Sequence, residues 1–244
     1  MTPYQYGANN PIKNIDMNGD STWSTTTRVS HGNNVTETRT QHITGKVINE
    51  ALSTVSSSDL ASSINNRLNS QTGTESYTNA DGGTTTITYK MDANYQGVTS
   101  LDQVNSSDHL VVVVNDVTGG GDPKLGGGDA VGIANIGSKV AYVEAGHGID
   151  NMTNTAFHEI GHDLGLEHPN VNNSNDPMSY TGQNANFSVS QLRSIYQNNN
   201  LNQGQNIMTI GNKREISNFN STQFRPYQGT RKYNMKVPMP VFHY

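Results

Sequence analysis

The sequence predicts an α+β fold, a β-sheet accompanied by a few helices, and three observations carry that expectation. Hydrophobic residues make up 32% of the 244 and charged residues only 14%, with 24 glycines to supply turns, a balance that favours strands and loops over a helical bundle. Several short runs are rich in Val, Ile, Thr and Tyr and are bounded by Gly, Asn or Asp, as strands are. Other segments place apolar residues at helical spacing behind a Ser or Asp cap. This length suits one sizeable domain with a short appendage.

In chain order, Thr and Ser alternate with Val, Ile and charged residues from about 21 to 48, as in STTTRVS and HITGKVI, and weak strands are expected there. Residues 57–70 read as a helix capped by Ser58 or Asp59, with Leu60, Ile64 and Leu68 four apart. The strand candidates are TTTITYKM (84–91), HLVVVVND (109–116), AVGIANI (130–136) and KVAYVEA (139–145). The unbroken run Val111–Val114 suits a strand buried on both faces. GGGDPKLGGGD (119–129) is a loop, and without a Lys-Ser/Thr ending it is no phosphate cradle.

NTAFHEIGHDLG (154–165) reads as a helix whose apolar stripe is Phe157, Ile160 and Leu164. SVSQLRSIYQ (188–197) reads as another, opening with Ser188 and Gln191 in capping-box relation. Residues 198–244 are Asn-rich and then basic, the last 33 carrying Lys213, Arg214, Arg225, Arg231, Lys232 and Lys236 against Glu215 alone. Such a tail is usually solvated surface, and docking to an acidic partner is the lesser reading.

The totals also exclude. A net charge of −5 argues against a nucleic-acid partner, which needs a basic footprint. No apolar run reaches the eighteen or so residues of a membrane span. The opening MTPYQYGANN has neither a basic start nor an apolar stretch, so no signal peptide is expected. With no cysteine, disulfides and thiolate metal ligands are ruled out.

The chemistry concentrates in HEIGHDLGLEH (158–168). His158 and His162 stand four apart, so on a helix their rings leave one face about a turn apart and reach one cation about 2 Å away. Glu159 swings its carboxylate beside that cation, placed to take a proton from a bound water. Gly165 can adopt the left-handed conformation that stops a helix, letting His168 return as third ligand. Three nitrogens leave a tetrahedral position open, as in a catalytic zinc site. Five fixed positions coincide by chance on the order of a few times in a hundred thousand such chains, so a helix with incidental histidines is the weak alternative. His147, in EAGHGID, reads as a loop residue, and His31, His42, His109 and His243 have no motif context.

This string resembles the metzincin pattern His-Glu-x-x-His-x-x-Gly-x-x-His followed by a methionine turn. Met178 in NDPMSY (175–180) stands ten residues beyond His168, where the resemblance implies an apolar floor beneath the metal. Tyr180 matches the tyrosine of astacin-like and serralysin-like members, which implies a phenol that ligates resting zinc and then hydrogen-bonds the oxyanion. The short gap to Met178 looks more like matrixins. The resemblance implies a metzincin-like fold, a twisted mixed β-sheet with an active-site helix, a Met-turn and a C-terminal helix. It also implies a Zn²⁺ cofactor, a protein or peptide substrate, and an edge strand along the cleft that pairs with it, for which AVGIANI and KVAYVEA are both candidates.

Residues 1–20 resemble the end of an Rhs-repeat core at its junction with a variable C-terminal toxin, through Tyr4, Tyr6, Asn9, Asn10, Pro11, Asp16 and Gly19. Met17 stands where a proline is usual. The expected organisation is therefore a leader over 1–20, a zinc metalloprotease domain over 21–200 and a basic extension over 201–244. That resemblance implies delivery into a target cell by Rhs machinery and a cognate immunity protein. An alternative restraint is the leader, through Asp16 or Asp20. The competing functions are a secreted protease with no toxin role and a zinc-binding module without turnover.

Overall fold

The protein is described by a computed structural model covering residues 22–51, 53–104, 108–115, 117, 130–134, 136–137, 139–182 and 184–198. The expected leader, the extension over 201–244 and the loop over 119–129 lie outside the described residues.

The weak strands expected over 21–48 form one long antiparallel hairpin, β1 (Thr22–His31) and β2 (Asn34–Asn49). The second of these is the spine of the sheet. Along one edge, Val35–Ile48 pairs in parallel with β4 (Thr84–Val98). Along the other edge β1 occupies Asn34–Ile43, and β5 (His109–Val114) takes over from Gly45 in parallel. Beyond them β3 (Thr72–Thr78) pairs antiparallel with β4. On the opposite side β7 (Val140–Glu144) runs parallel to β5, and β6 (Gly132–Ala134) closes the edge antiparallel to β7. Among the described residues this is a mixed seven-stranded sheet, ordered β3-β4-β2-β5-β7-β6 with β1 beside β2.

The strands add detail to what the sequence predicts. The strand expected over 84–91 continues to Val98, because Met91, Ala93 and Tyr95 keep alternating inward. β3, TGTESYT, was not expected: its polar side chains suit an edge strand held by its ladder, with Thr74 and Thr88, and Ser76 and Thr86, bonded across it. Of the two candidate edge strands, AVGIANI supplies through Gly132–Ala134 the edge among the described residues, and KVAYVEA lies inside the sheet.

The α-helices among the described residues are α1 (Ser57–Asn69), α2 (Gly148–Asp163) and α3 (Val189–Gln197). The cap of α1 is Ser56 and not Ser58 or Asp59: its hydroxyl oxygen accepts the Asp59 amide at 3.0 Å and donates to the Asp59 carboxylate at 2.7 Å. α2 starts six residues before 154 and stops at Asp163. α3 carries the expected capping box between Ser188 and Gln191.

All three helices pack on one face. Leu60, Ile64 and Leu68 of α1, Phe157 and Ile160 of α2 and Leu192 and Ile195 of α3 share a core with Val111 and Val113 of β5. Leu110, Val112 and Val114 point the other way into a second cluster with Ile48, Val98 and Tyr142. That accounts for the unbroken valine run. A mixed sheet with helices on one face is in keeping with the α+β class. No helix among the described residues is long and apolar enough to cross a membrane.

Ser56→Ala is expected to lower stability by about 1 kcal/mol, the usual loss for an N-cap serine. Chemical denaturation with an unshifted midpoint would contradict that capping role.

Candidate metal centre

Two successive turns of α2 present His158 and His162 on one face, and the chain beyond the helix returns His168 to them. The reversal is a Schellman ending. Gly165, at φ 87°, lets Leu166 N–H bond to the Gly161 carbonyl at 2.9 Å and its own N–H to that of His162 at 2.8 Å. The three Nε2 atoms form a nearly equilateral triangle, with edges of 3.0 Å (His158–His168), 3.0 Å (His162–His168) and 3.2 Å (His158–His162). Three nitrogens each about 2.0–2.1 Å from one tetrahedral cation sit about 3.3 Å apart, so the residues fit a metal ion.

The tautomers agree with that fit. His158 Nδ1–H donates to the Pro177 carbonyl at 2.7 Å, and His162 Nδ1–H to the Leu166 carbonyl at 2.8 Å. Both Nε2 atoms therefore turn lone pairs toward the centre of the triangle. Burial is the main cause that lowers His158 to about 4 and His162 to about 3. At neutral pH both rings are neutral, as ligands must be.

Glu159 is buried against the edge strand, where the backbone N–H of Ala134 donates to its carboxylate. Burial first, and then the charge of Asp163, push its carboxyl well above the usual range. Gly132 makes this approach possible, since a Cβ there would lie 2.7 Å from Glu159 Oε1. Met178 is fully buried in a turn closed by the Ser179 amide on the Asp176 carbonyl at 3.0 Å, with Pro177 at its second position. The Asp176 carboxylate also accepts the Met178 amide at 2.9 Å. Tyr180 comes to the same place, its ring centroid 4.6 Å from that of His168 and 6.4 Å from that of His158.

His158, Glu159, His162, His168, Met178 and Tyr180, singled out in the sequence, thus gather in one region. His147 is the loop residue expected, preceding α2 with Nε2 2.9 Å from Glu144. Sequence reading missed the carbonyls of Leu166 and Pro177, which leave no side-chain signature, and it missed Gly132 and Asp163. A glycine inside a strand and an acid beside an apolar stripe were the signals available for those two.

No protein-family model matches the chain, and comparison with curated proteins finds no match.

A Cβ at Gly161 would lie 2.5 Å from Met178 Sδ and 3.0 Å from its Cε. Gly→Ala inside a helix ordinarily stabilises by roughly 0.5–1 kcal/mol. Gly161→Ala is expected to reverse that sign and lower the melting temperature, because a fully buried Met178 must move. A raised melting temperature would show that Met178 does not press on the helix.

Proposed function

We propose that this chain is a zinc-dependent endopeptidase with a metzincin-like fold and that it serves as the toxin domain of an Rhs-type effector. The observation that carries the first part is the triangle of Nε2 atoms with edges of 3.0–3.2 Å, with the buried Glu159 next to His158 on the same helix. The mixed sheet, the helix bearing the histidines, the turn holding Met178 and the helix after it are the parts that the sequence resemblance implies. The delivery reading rests on Tyr4, Tyr6, Asn9, Asn10, Pro11, Asp16 and Gly19.

Bound at His158, His162 and His168, zinc would supply Lewis acidity toward a water and the scissile carbonyl. An extended peptide lies along β6, the last strand of the sheet among the described residues, and pairs with its main chain. Glu159 takes the proton of the attacking water on its carboxylate and hands it to the leaving amine. The Tyr180 phenol donates to the carbonyl oxygen as charge builds on it. In the cell, machinery of the Rhs type delivers the domain, and a cognate immunity protein from the adjacent reading frame restrains it at home.

Glu159→Gln is expected to keep one zinc per chain and lose 10²–10⁴-fold in peptide hydrolysis. Wild-type turnover in that variant would remove the general-base role. Tyr180→Phe is expected to lower turnover by about 10²–10³-fold with zinc retained, as the loss of one oxyanion donor does. Expression of wild type and Glu159→Gln inside bacteria, with new protein N-termini identified, tests the toxin reading. Cleaved host proteins and arrested growth should appear with the wild type alone, and their absence would leave a protease without the toxin role.

A further inference from the structure

Asp163 occupies a costly position for an acid. It is the last residue of α2, where the helix dipole disfavours an acid, and it is 1% exposed, where a carboxylate loses its hydration. One of its neighbours comes from the sheet. His109, the first residue of β5, brings Nδ1 to 3.6 Å from Asp163 Oδ2, facing it just beyond hydrogen-bond reach. Its other ring nitrogen, Nε2, is 2.9 Å from the hydroxyl of Thr22, the first residue of β1. His109 and Thr22 are each 1% exposed. The Thr22 hydroxyl and His109 Nε2 thus share a buried hydrogen bond, while the other ring nitrogen faces the Asp163 carboxylate across 3.6 Å.

We infer that Thr22, His109 and Asp163 form a positioning string that sets the rotation of the last turn of α2 and so the direction in which His162 reaches the metal. Adjacent residues leave a helix about 100° apart, so holding the side chain at 163 against the sheet fixes the bearing of the one at 162. A second tie acts on the same turn: the Gly137 amide donates to the His162 carbonyl at 2.8 Å. The string touches no metal. It acts through α2, as partners outside the ligand set act when their loss costs 10–100-fold in metal affinity. The inference rests on the metal reading proposed above.

The test uses the full chain as wild type, Thr22→Val, Thr22→Ser, Asp163→Asn and the remote control Ser56→Ala. Zinc affinity is read by competition with a chromophoric chelator, and site geometry by the visible absorption of bound Co²⁺. Thr22→Val and Asp163→Asn are expected to weaken zinc 10–100-fold and shift the Co²⁺ bands. Thr22→Ser restores both readings, and Ser56→Ala changes neither. If Asp163→Asn does not fold, the Thr22→Val and Thr22→Ser pair decides. Wild-type affinity and an unshifted Co²⁺ spectrum in Thr22→Val overturn the inference, even where its melting temperature falls. A wild-type chain that takes up no metal overturns the metal reading itself, and the inference with it.

Discussion

An imidazole presents one nitrogen to a metal reliably only when its other nitrogen is committed elsewhere. In this protein the main chain makes that commitment for His158 and His162, through the carbonyls of Pro177 and Leu166. Neither acceptor titrates, so the tautomers do not depend on the protonation of a neighbouring side chain. Both lie beyond the helix. Leu166 belongs to the Schellman ending and Pro177 to the turn that holds Met178. The helix alone supplies two rings on one face but leaves them free to rotate. Residues 164–180 aim them, bring His168 to complete the triangle and place Met178 beneath Gly161.

Much of this arrangement was legible in the sequence, because the motif is local. Side chains four apart on a helix share a face in any fold, and a glycine one turn later can stop the helix whatever surrounds it. The doubly buried strand was legible for a similar reason, since Val111–Val114 has no polar face to offer solvent. Legibility failed where pairing decides structure. β3 has no apolar face and exists through its ladder to β4. AVGIANI and KVAYVEA look alike as strings, and only the sheet makes one the edge and the other interior. Ser56, Ser57 and Ser58 are adjacent and chemically identical, so Asp59 fixes the cap only once the backbone is set. His109 had no motif context, because its partners at positions 22 and 163 are remote in sequence.

The helix face turned toward the sheet is unusual for a core. Glu159 and Asp163 stand one turn apart on it, both buried, with the Tyr95 phenol nearby. Burial, Asp163 and Asp108 all push Tyr95 upward, and burial and Asp163 do the same to Glu159. Buried acids on one helix face weaken a fold unless each finds a partner. Here the Ala134 amide serves Glu159, and His109 Nδ1 faces Asp163 at 3.6 Å.

The length of β2 ties these features to the start of the domain. Its 16 residues exceed what either β1 or β5 covers, so those two strands abut on one edge of it. Pairing with β1 ends with Thr22 opposite Ile43, and pairing with β5 begins with His109 opposite Gly45. A hairpin of that length and register sets the Thr22 hydroxyl on the His109 ring. A slip of one residue would turn Thr22 to the other face of the sheet and break the contact. The register of a polar hairpin therefore reaches, through two side chains, the last turn of the helix that carries His162.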